Sequence, residues 1–170
     1  EFFNIALAKS KNGNLFIKKV YRQTLPKEAL EKSLPTDPKA FGSMILGLLK
    51  ELKLNAQRVA ICIPSDACYT RLIDIPEPIT EEDSFEFLEN PDSGIQIPIS
   101  LNNSDFDISL TSLPKKFINN KGFNRYFLTS IPQKNINLFL ETIENANLEL
   151  CSIQMSHNCT SNLLKNEIDN

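Results

Sequence analysis

The sequence predicts a protein of the α+β class, a mixed α/β fold in which paired strands alternate with amphipathic helices. An Asn-Gly pair separates two apolar runs, Phe2 to Ala8 and Leu15 to Tyr21, which is a strong signal for a β-hairpin. Two further β-rich runs, Arg58 to Ile63 and Tyr69 to Ile75, each end at a proline and are joined by a short polar turn. Apolar residues at helical spacing separate these pairs. We therefore expect antiparallel strand pairs connected by helices.

Size and composition limit the class of protein. The chain has 170 residues, of which 41% are hydrophobic and 23% charged, values that suit one globular core with at most a small appended piece. The net charge is -3 and the lysines are scattered, so no nucleic-acid-binding surface is predicted. No apolar run reaches the ~18 residues of a membrane span. Because the chain has neither a signal peptide nor a starting Met, we expect it to begin inside a longer protein.

Start signals predict three helices. Asp37 is a capping residue and Pro38 suits the first helical position, so the first helix is expected to begin there. Thr80 followed by acidic residues predicts the start of a second helix. That helix must end before Pro91, because a proline disfavours helical backbone at the residue before it. The third helix is expected to begin near Pro132.

Alternating apolar residues predict the remaining strands. Asp105 to Leu113 and Arg125 to Ile131 alternate as half-buried strands, and the segment between them, Lys115 to Asn124, is predicted to be a polar loop. Leu148 to Met155 is the last predicted strand, and Ser156 to Ile168 is predicted to be helical. The third helix could form a crossover between parallel strands.

Two thiols and two charged side chains in the predicted strands bear on chemistry and pairing. Cys62 and Cys151 lie in apolar runs, so we expect them to be buried, reduced thiols. Arg71 and Asp74 stand three residues apart in one strand, so they point to opposite faces of the sheet and cannot pair with each other. Both are expected at the surface.

No catalytic or metal site is predicted. His157 and Cys159 are two residues apart, but a nucleophile needs a base held by a third group, and zinc needs three or four ligands. Capping of the last helix is the favoured role for this segment. The acidic residues Glu81, Glu82 and Asp83 are expected to stabilise a helix amino terminus through its dipole.

Several motifs occur in an order that resembles one family. They are the helix end L-L-K-E-L-K-L (Leu48 to Leu54), the strand runs R-V-A-I-C-I-P and T-R-L-I-D-I-P, the acidic helix start I-T-E-E-D-S-F-E-F (Ile79 to Phe87), the turn Gln96 to Ile99, and the later pair Phe127 to Leu140 and Ala146 to Ile153. Together they resemble the amino-terminal part of the PilM family of type IV pilus assembly proteins, which are actin-like relatives of FtsA.

The resemblance implies a domain organisation. Residues 1–56 would form part of an actin-like (ribonuclease H-like) core, namely a β-hairpin and a helix. Residues 57–155 would form the inserted α+β subdomain of the FtsA/PilM type, and residues 156–170 a helix that returns to the core. The second half of the actin-like fold would be absent from this chain.

The resemblance also bears on nucleotide binding. Family members have a Gly/Ser-rich phosphate-binding turn near the start, whereas the aligned residues here are Glu1, Phe2, Phe3 and Asn4. Bulky side chains obstruct the approach of backbone amides to a phosphate, so this position is predicted to be a degenerate phosphate loop. We expect no cofactor for this chain and an enzymatic role is not predicted, although ATP and Mg²⁺ remain open for the full-length protein.

As function, the resemblance implies a cytoplasmic scaffold at the inner membrane that binds a short peptide of a PilN-like inner-membrane protein. Tyr69, Arg71 and Ile73 are the candidate partner-binding residues, on a strand whose edge an extended peptide can join. No direct membrane insertion is expected, and self-association is left open. Two alternatives remain: the front half of an actin-like ATP-binding protein, and the actin-like cytoplasmic domain of a type II secretion platform protein.

Overall fold

The structure is a computed structural model that describes residues 2–11, 14–55, 58–99, 101 and 104–156. Within these residues there are three α-helices: α1 (Pro38–Glu51), α2 (Ser84–Glu89) and α3 (Gln133–Asn145). The strands are β1 (Phe2–Lys11), β2 (Asn14–Thr24), β3 (Leu30–Glu31), β4 (Leu34–Pro35), β5 (Arg58–Ile63), β6 (Tyr69–Pro76), β7 (Phe106–Ile118), β8 (Lys121–Pro132) and β9 (Glu149–Met155). The mixed α/β class predicted from the sequence is confirmed.

The strands form separate small sheets. β1 and β2 make the antiparallel hairpin that the apolar runs predicted, although the Asn12-Gly13 pair itself lies outside the described residues. β3 and β4 form a short antiparallel pair between β2 and α1. β5 pairs with β9 in parallel, and β6, β8 and β7 form an antiparallel sheet in that order.

The two proline-ended runs are strands, but they do not pair with each other. The predicted antiparallel pairing of β5 with β6 is therefore wrong. A 3-10 turn at Ser65–Ala67 separates them, and each strand packs its apolar face into a different hydrophobic cluster. β5 joins β9 after the crossover through α3, which matches the predicted possibility of parallel strands around this helix.

Three apolar clusters form the interior. The first lies under α1 and includes Phe41 and Ile45, and the ring of Phe3 on β1 meets Phe41 edge-on at 5.7 Å between centroids. The second joins Ile63 on β5 to Phe139 on α3. The third fills one face of the three-stranded sheet and contains Leu128. The three-stranded sheet thus has a cluster of its own, separate from the cluster under α1 and from the cluster that includes α3.

Helix α1 begins where the sequence predicted. The side chain of Asp37 accepts a hydrogen bond from the amide of Ala40 at 2.9 Å, and Pro38 is the first helical residue. This satisfies one amide that the helix cannot bond internally. α1 packs closely against α3, because Gly42 lies directly against the backbone at Thr142 and the side chain of Asn145.

Helix α2 begins later than predicted. Thr80 caps a turn: the amide of Asp83 donates to the Thr80 hydroxyl at 3.2 Å, and that hydroxyl donates to the Asp83 carboxylate at 2.6 Å. The helix itself starts at Ser84 with Asp83 as its cap, so the predicted start is three residues early. It ends before Pro91, as the proline predicted.

The predicted polar loop from Lys115 to Asn124 is wrong. β7 and β8 continue through it as a long hairpin, and the register runs to the pair Ile118 and Lys121. The turn consists of Asn119 and Asn120, both with positive φ (50° and 61°). This is the backbone that a tight type I′ turn requires, and asparagine tolerates it better than most residues do.

The expectation of buried thiols is wrong for Cys62 and Cys151, which are both exposed. The strand alternation explains Cys62: Ile61 and Ile63 take the inward positions of β5, so Cys62 points to the other face. The predicted final helix, together with His157 and Cys159, lies outside the described residues apart from Ser156. The predicted domain boundaries at residues 56/57 and 155/156 stay predictions.

Candidate functional site along strand β6

Strand β6 is an edge strand. It pairs with β8 on one side, from Tyr69 opposite Ser130 to Pro76 opposite Phe123, and no described strand pairs with its other side. An unpaired strand edge presents main-chain N–H and C=O groups that a further extended chain can bond. β6 is therefore one of the two edge strands of this sheet within the described part of the chain, and β7 is the other.

The three predicted site residues lie on one face of β6 but differ in exposure. Ile73 is 2% exposed and belongs to the core cluster that also contains Leu128. Tyr69 is half-buried against the same cluster. Arg71 is exposed, and its guanidinium donates a hydrogen bond to the carbonyl of Gln96. The structure thus leaves Arg71 and part of Tyr69 accessible beside the edge, while Ile73 supports the strand from inside.

The opposite face of β6 carries an apolar residue that the sequence reasoning did not single out. Leu72 is 58% exposed and stands opposite Phe127 of β8, which is half-buried. Thr70 precedes it on the same face. Residues at alternate positions of a strand share a face, so a chain added to this edge would meet Leu72 on one side and Arg71 on the other.

A cluster of charges ties β6 to its neighbours on the same face as Leu72. The Asp74 carboxylate accepts hydrogen bonds from Arg125 Nε at 2.7 Å and from Lys116 Nζ at 3.0 Å. The hydrogen bond from Arg125 is the main cause that holds the pKa of Asp74 below its ordinary value. The bond from Lys116 acts in the same direction, and partial burial opposes both. Asp74, predicted to be a surface residue, is half-buried instead.

Asp74→Asn is expected to destabilise the fold by about 1–2 kcal/mol, because it removes charge-assisted hydrogen bonds to two cations that remain partly exposed. Urea unfolding of the variant and the parent protein measures this difference. Asp92→Asn is the control, because Asp92 is an exposed acid of the 3-10 turn at Pro91–Ser93, away from this cluster, and should change stability little. Equal losses in both variants would contradict the role of the cluster.

The contribution of Asp74 also predicts a pH dependence. Its pKa is lower in the folded protein than in the unfolded chain. The stabilisation is therefore complete above the unfolded pKa, about 3.9, and is lost as pH falls through the lower folded value. Between pH 7 and pH 3 the stability gap between the parent protein and Asp74→Asn should narrow. A gap that stays constant over this range would contradict the prediction.

The turn before β6 is held from two sides by residues distant in sequence. The buried side chain of Asn135 on α3 donates to the carbonyl of Ala67 at 3.2 Å. The hydroxyl of Ser33, in the turn between β3 and β4, donates to the carboxylate of Asp66 at 2.9 Å. These contacts fix where β6 starts relative to the core under α3. In the sequence, Asn135 is marked only as a polar residue near the start of a predicted helix, which does not predict its contact with Ala67.

The described residues show little that would support chemistry. They contain no group of three or more His, Cys, Asp or Glu side chains arranged to hold a metal ion. Burial raises the pKa of the Cys68 thiol, with a further rise from the charge of Asp66. A thiol with a raised pKa is a weak nucleophile at neutral pH. No helix in this part of the chain is long and apolar enough to span a membrane.

The residues predicted to replace the phosphate loop are not in a loop. Phe2, Phe3 and Asn4 lie within β1, opposite Thr24, Gln23 and Arg22, while Glu1 lies outside the described residues. Phe3 packs inward on α1 as part of the strand alternation. That these residues stand at a degenerate phosphate-loop position stays a prediction. Nucleotide binding by a full-length protein stays a prediction.

Comparison with known proteins bears on the fold. A chain in a solved structure of a PilM-PilN type IV pilus biogenesis complex is similar to this one, with a TM-score of 0.66 and 18% sequence identity. The chain has a PilM-like fold. The similarity covers 91% of this chain and 44% of the other, so this chain spans less than half of that length. No protein-family model and no curated protein matches the sequence.

The PilM-like fold confirms the resemblance at the level of architecture. The similarity extends over nearly all of the chain. The finer prediction, an actin-like core with an FtsA/PilM-type insertion, stays a prediction. At 18% identity the likeness concerns the fold and does not assign a function.

Proposed function

We propose that this chain is a PilM-like scaffold module at the cytoplasmic face of the inner membrane, which binds a short extended peptide of a PilN-like protein along β6. The observation that supports this most directly is the open edge of β6 within a fold similar to that of a PilM-PilN complex. Addition of a strand to a sheet edge supplies main-chain hydrogen bonds, while side-chain contacts on the two faces select the peptide.

The side chains around the edge suit such a peptide. Leu72 offers an exposed apolar contact on one face, and Arg71 offers a cation on the other. The bond to the Gln96 carbonyl limits the conformations of the Arg71 side chain, so less entropy is lost when a peptide carboxylate binds it. We therefore expect a peptide with apolar residues at alternate positions and an acidic residue near Arg71.

Ile73 has an indirect part in this proposal. Its side chain packs with Leu128 under the sheet and keeps the strand in place. We retain Tyr69 and Arg71 as predicted contact residues and add Leu72. Because the Ile73 side chain is buried in this cluster, it is not available for contact with a bound peptide.

Titration calorimetry tests the proposal. A synthetic peptide copying the amino-terminal cytoplasmic segment of a PilN-like protein should bind the 170-residue chain with micromolar affinity. Leu72→Glu should weaken binding about tenfold or more, because it places a charge where the peptide buries an apolar side chain. Arg71→Glu should weaken binding of an acidic peptide by a similar factor.

Leu140→Glu is the matched control, since Leu140 is also an exposed leucine but lies on α3. It should leave the affinity unchanged. Binding that both β6 variants leave intact would place the peptide elsewhere. If the parent chain releases no heat with the peptide and shows no change in the amide resonances of β6, the proposed function is wrong.

A further inference from the structure

The tip of the β7-β8 hairpin exposes apolar side chains that no other part of the described chain covers. Phe117 is 68% exposed and Ile118 is 43% exposed. β6 ends opposite Phe123, whereas β7 and β8 continue as two strands to the turn. The last residues of the hairpin therefore have no third strand and no helix to pack against. Large side chains in such a position add nothing to the core.

A tight turn closes the tip. Asn119 and Asn120 close it with two consecutive left-handed residues, the tight turn that matches strand twist. On β8, the carbonyl of Gly122 accepts a hydrogen bond from the amide of Glu77 at 3.0 Å. Its backbone lies so close to the Glu77 side chain that a Cβ at this position would collide with it. Phe117 stands opposite Gly122, so these main-chain contacts on β8 hold the strand that carries it in place, with the Phe117 side chain exposed.

Positive charge surrounds these apolar residues. Lys115, Lys116, Lys121 and Arg125 lie on the last part of the hairpin, and the acids that pair with this group are Asp74 and Glu77. Four cations against two carboxylates leave an excess of two positive charges. The Lys115–Glu77 pair, at 2.6 Å, is solvent-exposed, so it contributes little and exchanges readily. Lys121 pairs with no described residue.

We propose that this hairpin tip, residues 115–121, docks on an anionic lipid surface. Phe117 and Ile118 would enter the headgroup region, while Lys115, Lys116 and Lys121 lie among the anionic headgroups. Apolar area and attraction between lysines and anionic lipids are the two contributions that drive interfacial binding. The whole chain carries a net charge of -3, so an anionic membrane repels it overall. Attraction therefore depends on the local cationic tip, which orients the protein with the hairpin toward the membrane.

This inference extends the proposed function and does not depend on it. A membrane contact at the tip would leave Tyr69, Arg71 and Leu72 available, because they lie opposite Ser130, Leu128 and Phe127, toward the other end of β8. It also revises the prediction of no direct membrane insertion, which followed from treating residues 115–124 as a polar loop. Insertion here is shallow and involves two side chains, not a spanning helix.

The chain contains no tryptophan, so Phe117→Trp creates a single fluorescent reporter at the tip. Its emission should move to shorter wavelength when vesicles of phosphatidylglycerol and phosphatidylcholine are added, and should stay unchanged with phosphatidylcholine alone. Phe85→Trp is the matched control, because Phe85 is also exposed but lies on α2 beside acidic residues. It should show no shift with either vesicle.

Vesicle sedimentation gives the size of the effect. Phe117→Ser should weaken binding to the anionic vesicles about tenfold, from the loss of one buried aromatic side chain. Lys121→Gln should weaken it about fivefold, since each lysine near an anionic surface contributes about 1 kcal/mol. Raising the salt concentration should reduce binding of the parent chain. Binding of the PilN-like peptide should be unchanged in both variants.

Three results would overturn the proposal. The first is that the parent chain does not sediment with anionic vesicles, and the second is that Phe117→Ser sediments with them as well as the parent chain does. The third is that the emission of the Phe117→Trp variant shifts with protein concentration in the absence of lipid. The last would show that the tip contacts a second copy of the chain. Because Phe117 is exposed, its replacement should not unfold the protein. The Phe117→Trp measurement decides the matter even if the serine variant is unstable.

Discussion

Gly42→Ala is expected to destabilise the fold by about 2–3 kcal/mol, although alanine is the better helix former. A Cβ at position 42 would lie 2.4 Å from the carbonyl oxygen of Thr142 and 2.6 Å from Cβ of Asn145. Both groups belong to α3, and the closest is backbone, which cannot rotate away as a flexible side chain can. The two helices would have to separate, and the cores on either side of them would lose contacts.

The same helix supplies the control. Gly47 is also inside α1, but a Cβ there would meet nothing within 4 Å. Gly47→Ala should therefore stabilise the protein by about 0.5–1 kcal/mol, through helix propensity alone. Urea unfolding followed by circular dichroism measures both variants. The same Gly→Ala substitution is therefore expected to lower the free energy of unfolding at position 42 and to raise it at position 47. A gain in stability at position 42 would contradict the close packing of α1 on α3.

Leu128→Ala is expected to destabilise the inserted sheet by about 3 kcal/mol. Leu128 is 0% exposed on β8, the central strand of the sheet, where it packs with Ile73 and Leu88. Truncation of a leucine in such a position removes its transfer free energy and leaves a cavity, which together cost about 2–5 kcal/mol. Thermal or urea unfolding measures the loss. Amide hydrogen exchange should show faster opening of β6, β7 and β8 than of α1.

Leu72→Ala is the matched comparison for this variant. Both residues are leucines on adjacent strands of one sheet, but Leu72 points to the opposite face and is 58% exposed. We expect it to change stability by less than about 0.5 kcal/mol. Similar losses for the two leucines would mean that the sheet is covered on both faces, which would also contradict peptide binding at the β6 edge.

The sequence predicts the local structure well where one signal is sufficient. The cap at Asp37 and the proline at position 38 place the start of α1 correctly, since a helix amino terminus depends on residues that are neighbours in sequence. The proline-ended, β-rich run from Tyr69 to Ile75 likewise identifies β6 as a strand. Alternation does not identify the end of the hairpin, because residues 117–122 extend beyond the last residue of β6 that pairs with β8. Neither face there needs apolar residues, so the segment resembles a loop.

The features that the sequence does not predict depend on contacts between residues distant in sequence. The partner of β5 depends on residues near position 150, and a two-residue period contains no information on which strand lies beside which. Asp74 is predicted as a surface residue because its cations come from β7 and β8. The candidate edge at β6 is predictable as a strand, yet the buried position of Ile73 and the exposed position of Leu72 follow only from the cluster that covers one face.

The parallel pairing of β5 with β9 has a consequence for how the chain folds. Residues 64–148 lie between these two strands, so their pairing closes a long loop, and contacts of large sequence separation form slowly. The β7-β8 hairpin needs only a local closure, and β6 pairs with β8 across a shorter stretch of chain than β5 with β9, so the three-stranded sheet can form while β5 still lacks its partner. Once formed, it brings the ends of the loop closer together and lowers the entropy lost on closure. In kinetic terms, we expect the insertion to fold first and the β5-β9 pair to be the late, rate-limiting step.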